Sequence, residues 1–176
     1  MRSDSLLLLC LLALGAAPRA EAARNKALIE FKVDSFSSED AELKDSQEKL
    51  RSLEKKIKNG EIPPIEFEFN KATLLESSKT ALRHVADLLL GHPHMRLTVA
   101  GHTCDIGGAN ANMRLSQRRA NAVQGELARF GVPVEHIRAR GYGSTHPLYS
   151  NDNEEHRAKN RRVELFITKR TWDSIY

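Results

Sequence analysis

The side chains best able to do chemistry cluster between Gly101 and Arg119. The run Gly101-His102-Thr103-Cys104-Asp105-Ile106-Gly107-Gly108 follows a strand pattern and opens a helical one, where unpaired backbone N–H groups can meet an incoming anion. It carries neither a Gly-Lys-Ser/Thr nor a G-x-G-x-x-G spacing, so it is not a P-loop or a dinucleotide fingerprint. Down the helix, Leu115, Ala122, Val123, Leu127 and Phe130 make an apolar stripe, and on a 3.6-residue wheel Arg119 falls in its middle. A guanidinium buried there needs an anion, because burying an unpaired charge is costly. Two partners fit: an internal carboxylate such as Glu126 on the same face, or a ligand's carboxylate at the helix's N-terminal end.

Other candidates carry less. His102 and Cys104 lie two apart, which suggests a Cys–His nucleophile pair. No third group is placed to orient that imidazole, and a neutral buried thiol is the commoner state. His84, His92 and His94 lack the cysteines or paired acids of a metal site and read as surface histidines. Asn112 is either a ligand contact or a turn residue at the start of the helix. Arg161 and Arg162 precede a strand, so alternation sends them to opposite faces, with Asp152, Glu154 or Glu155 as partners for one of them. Gly141-Tyr142-Gly143 reads as a turn that needs glycine. Phe67 and Phe69 are expected in the core.

The elements that hold these residues are legible from periodicity. Ile65, Phe67 and Phe69 alternate with Glu66 and Glu68, predicting a half-buried strand. Leu82, Val85, Ala86 and Leu89 recur at helix spacing over residues 77–90, which Gly91-His92-Pro93 closes. Leu97, Val99 and Ala100 carry a second strand. A helix from about Ala111 to Phe130 ends at Gly131, Ile137 to Tyr142 form a third strand, and Val163, Leu165 and Ile167 a fourth. The order βαβαββ predicts an α+β two-layer sandwich with helices on one face of a mixed sheet. Ahead of it, Ile29, Phe31 and Val33 alternate like a strand, and residues 39–58 read as a helix with Leu43, Leu50, Leu53 and Ile57 on one stripe. Ile29-Glu30-Phe31 recurs at Ile65-Glu66-Phe67, a weak hint of repetition.

The first 22 residues stand apart. Arg2 opens a short polar head, Leu6 to Leu14 are apolar, and Ala20-Glu21-Ala22 has cleavage-site spacing, which together predict a secretory signal peptide. An uncleaved anchor and a lipoprotein signal lipidated at Cys10 are the rivals, but the run is short for a span and continues past Cys10. The mature chain is expected to lack a transmembrane segment and to keep Cys104 as its one cysteine, with no internal disulfide. Residues 23–64 then form a mixed-charge tail whose nine basic and nine acidic residues cancel, a surface for an envelope protein partner. From Ile65 on there are sixteen basic and twelve acidic residues, and twelve of the sixteen are Arg, whose planar fork matches carboxylates or phosphates. Few aromatics are available to stack bases, so nucleic acid is not an expected partner.

The run Gly101-His102-Thr103 … Gly107 … Asn112 … Leu115-Ser116 … Arg119-Ala120 … Val123, then Gly141-Tyr142-Gly143, Pro147, Asn151 and Asn160-Arg161-Arg162-Val163-Glu164, resembles the OmpA C-terminal-like family, which includes the Pal lipoproteins and MotB. The likeness covers about Ile65 to Ile167. It implies a domain at residues 65–168, followed by a C-terminal tail at 169–176, that binds peptidoglycan through the diaminopimelate of its stem peptide. It implies no catalysis, no cofactor and no metal, and a periplasmic place at the cell wall and outer membrane. By the same resemblance an acid after Gly-His-Thr and an Arg fifteen positions later hold the ligand's ammonium and carboxylate. The Arg corresponds to Arg119, but Cys104 stands at the acid's position and Asn70 at that of a second acid. Asp105 is the loop's remaining acid and the expected substitute. The implied ligand-binding set is Asn70, Thr103, Cys104, Asp105, Asn112, Arg119 and Arg162. Two rival readings are a scaffold that has lost wall binding and acts through protein contacts, and a wall-processing enzyme that uses Cys104.

Overall fold

The structure is a computed structural model that describes residues 28–33 and 41–168. The expected signal peptide and the C-terminal tail lie outside the described residues. In chain order the elements are β1 (Leu28–Val33), α1 (Ala41–Lys58), α2 (Ser78–Leu90), β2 (Arg96–His102), α3 (Ala109–Arg129), a 3-10 turn (Val134–His136), β3 (Ile137–Gly143), α4 (Glu154–Asn160) and β4 (Arg162–Thr168). The sheet runs β1-β4-β2-β3. It is mixed: β1 is parallel to β4, β4 antiparallel to β2, and β2 parallel to β3. The α+β sandwich read from the periodicities is therefore the fold.

Pleat and register build the core. The pairs Leu97↔Ile167 and Val99↔Leu165 place apolar side chains on one sheet face, and Ile137 continues that face on β3. Against it lie Leu82, Val85 and Leu89 of α2 and Ala120, Val123 and Leu127 of α3. The helix of the mixed-charge segment joins the same core through Leu43, Leu50 and Leu53. His92, expected at the surface, is buried and ties α1 to α2: its Nδ1 sits 2.7 Å from Leu88 O and its Nε2 3.0 Å from Asp45 Oδ2.

Residues 65–69 depart from the expected strand. The segment turns back on itself, with Phe67 bridged to Leu74, the Glu68 N–H donating to Thr73 O at 2.8 Å and the Leu75 N–H to Glu66 O at 2.9 Å. The sheet position beside β4 belongs to β1, so Ile65 and Phe67 enter the core without a sheet ladder. The alternation matches the burial of Ile65 and Phe67 but not that of Phe69, and not the backbone's partner. Phe69, expected in the core, is 65% exposed, because the turn at residues 69–70 carries it out past the core.

Two glycines let α3 lie directly on the strands that carry the loop. A Cβ at Gly101 would sit 2.3 Å from Ser116 O, and one at Gly141 2.3 Å from Gln117 N. Side chains of α3 also cover the edge strand. The Gly141 N–H donates to Gln117 Oε1, while Gln117 and Gln124 amides donate to Ala139 O and Ile137 O.

Candidate functional site

The loop between β2 and α3 is pinned from both ends. The Thr103 N–H donates to Gly143 O at 2.9 Å. Asn112, buried on the first turns of α3, donates its amide to Cys104 O and Ile106 O at 3.2 and 3.1 Å. Asn112 thus acts as a turn residue that shapes the loop, and it also lines the cavity the loop encloses.

That cavity, of about 460 Å³, lies between the loop, the turn at Asn70, α3 and α4. Arg119 lies in its wall at 7% exposure, with its Nε donating to Lys71 O at 3.1 Å and its guanidinium 5.2 Å from the Phe67 ring centre. Glu126, the internal partner considered for it, pairs with Arg129 instead at 3.2 Å. No carboxylate among the described residues pairs with Arg119. Burial, then the neighbouring Arg161 charge, push its pKa down to about 10, with Cys104 pulling the other way, and it stays a cation near neutrality.

Thr103 and Cys104, both buried, line the same cavity, and the Thr103 hydroxyl has no hydrogen-bond partner there. The Arg161 Nη1 approaches Cys104 Sγ at 3.8 Å. Asn70 reaches the cavity from a turn in the left-handed region, φ +54°, which its short amide side chain tolerates. Asp105 is exposed and does not line the cavity.

Of the adjacent arginines, Arg161 faces the cavity and Arg162 faces away. Arg162 is buried on the other sheet face, its Nε donating to Glu164 Oε1 at 2.7 Å. His102 lies there too, stacked on Tyr142 at 5.3 Å and 3.8 Å from Glu164. The side chains of His102 and Cys104 therefore line different cavities, and no Cys–His pair is assembled.

The sequence reading missed α4, which brings Glu154, Arg157 and Arg161 to the site. Its signals were present: Asn153 caps it by accepting the His156 N–H, Glu154 and Glu155 open it, and Arg157 and Lys159 close it. Glu154 holds Arg157 at 3.1 Å and Arg161 at 2.8 Å. Burial alone would raise its carboxyl pKa, but the hydrogen bonds from Arg161 and Arg157 outweigh it and hold the group below its ordinary range.

Residues 66–161 match the model of the OmpA family. Among curated proteins, the chain is 40% identical over 103 residues to outer membrane porin F of Pseudomonas fluorescens, covering 58% of this chain and 32% of the porin. It is also 40% identical over 104 residues to the peptidoglycan-binding protein ArfA of Mycobacterium tuberculosis, covering 59% and 32% respectively. The chain thus spans about a third of the length of these two relatives. Among solved structures, the peptidoglycan-associated lipoprotein of Burkholderia pseudomallei superposes with a TM-score of 0.56 at 28% identity, covering 59% of this chain and 88% of that one.

Proposed function

The chain belongs to the OmpA family, and on that premise we propose that it binds peptidoglycan non-covalently through the cavity over Arg119, linking an exported envelope protein to the cell wall. The observation that carries the reading is a buried guanidinium with no carboxylate partner among the described residues, facing an open cavity beside an unpartnered Thr103 hydroxyl. Such a cation is costly to the fold alone and is repaid when a ligand carboxylate arrives. The diaminopimelate-containing stem peptide carries that carboxylate. The reading is binding without catalysis, in keeping with the separation of His102 from Cys104. Among the described residues, no helix is long and apolar enough to cross a membrane.

Co-sedimentation with purified sacculi tests this. The protein is expected in the pellet at low and moderate salt and to be displaced by free stem peptides. Arg119→Ala is expected to lose at least about tenfold in affinity, the size of a charge-assisted contact. Arg119→Lys is expected to restore it only partly, because the planar fork is lost. A parent protein that stays in the supernatant rejects the proposal.

A further inference from the structure

Charge around the cavity is lopsided. Its charged lining residues are Arg119, Arg157, Arg161 and Glu154, and Glu154 is already held by two of those arginines. An adjoining cavity shares Asn70, Ile106, Asn112 and Leu115 and adds Arg118 with no further acid. Backbone acceptors are engaged as well: Lys71 O takes the Arg119 Nε–H, while Cys104 O and Ile106 O take the Asn112 amide. The site is rich in donors and has no uncommitted carboxylate. An ammonium placed beside the bound carboxylate would meet net positive charge, with the Glu154 carboxylate already paired to Arg157 and Arg161.

Resting on the wall-binding reading, we infer that this site selects a stem-peptide end whose carboxylate is free and whose neighbouring amine is acylated, as in a cross-link, over the free zwitterion. Acylation removes a positive charge and adds a carbonyl. The charge no longer opposes the wall's net positive charge. The carbonyl offers an acceptor to a donor-rich wall, where the Thr103 hydroxyl is buried without a partner. Phe69 and Ile106, 65% and 62% exposed at the cavity's mouth, supply apolar surface for the aliphatic stem. Asn70 and Cys104 contribute to the preference, since they line the cavity with an amide and a thiol in place of carboxylates, Cys104 Sγ lying 3.8 Å from Arg161 Nη1.

The test compares two synthetic probes on the mature protein: a diaminopimelate tripeptide with its side-chain amine free, and the same peptide with that amine acetylated. Titration calorimetry near pH 7 is expected to show the acetylated peptide binding about fivefold or more tighter, the effect of one unit charge about 4 Å away when fully screened by water. Cys104→Asp is expected to reverse the order. Equal affinities, or a tighter free-amine peptide, overturn the inference, and loss of the latter in Asp105→Asn would give the ammonium to Asp105. Binding of neither probe also overturns it. Sedimentation with sacculi, read on the same preparation, tells the two failures apart: pelleting without probe binding removes the inference alone, and no pelleting removes the wall-binding reading as well.

Discussion

The two faces of the sheet treat a buried guanidinium in opposite ways. On the face away from the helices, Arg162 and Glu164, 2% and 3% exposed, neutralise each other at 2.7 Å within one strand. On the cavity side, Arg119 is nearly as buried and has a backbone carbonyl and an aromatic ring in place of a carboxylate. A buried charge satisfied internally reads as part of the scaffold, whereas one left for an outside partner reads as a binding group. Burial alone does not separate them; the bookkeeping of partners does.

The sharpest way to break that contrast is to remove the internal partner. Glu164→Gln should leave Arg162 as an uncompensated buried cation and destabilise the fold by roughly 3–5 kcal/mol. Urea unfolding reads this as a lowered midpoint with an unchanged slope. Arg119→Met should do the reverse. Removing an unpaired buried cation and keeping an apolar stem raises stability by about 1 kcal/mol, while sacculus binding falls at least about tenfold. If both substitutions destabilise to the same degree, Arg119 is a structural residue like Arg162.

Much of this contrast was legible in the residues. The wheel placed Arg119 in the apolar stripe of α3, and the structure keeps it there. Alternation separated Arg161 from Arg162 but could not say which faces the cavity, because period two fixes relative faces and not absolute ones. The binding set read from the sequence included Arg162, which the structure places on the far face, while Arg161 lines the cavity. The backbone of residues 65–69 was illegible for a different reason. Its apolar pattern matches that of residues 29–33, and only the tertiary fold decides which of two Ile-Glu-Phe segments takes the place beside β4. Helix α4 was overlooked because seven residues are too few to show a period, so its capping chemistry was its signal.

The smallest expected effect sharpens the comparison within the cavity. Glu154 mixes the two cases, since it is an internal partner for Arg157 and Arg161 in the same wall as Arg119, which has no carboxylate partner among the described residues. Its side chain is 33% exposed, against 14% for Arg161, so solvent screens the pair and its stability contribution is modest. Glu154→Gln is expected to cost roughly 0.5–1 kcal/mol. In the same variant Arg157 and Arg161 lose a neutralising carboxylate, and affinity for an amine-acetylated, carboxylate-bearing peptide should rise about two- to threefold. The pH dependence follows from the sign of the shift. The folded carboxyl is held below its ordinary value of 4.5, so its contribution is complete above that pH and is lost as pH falls through the lower folded value. The stability gap between parent and Glu154→Gln should therefore be constant near neutrality and shrink as pH falls below the ordinary value of 4.5. A gap that persists in acid would mean the side chain's packing, and not its charge, supports α4.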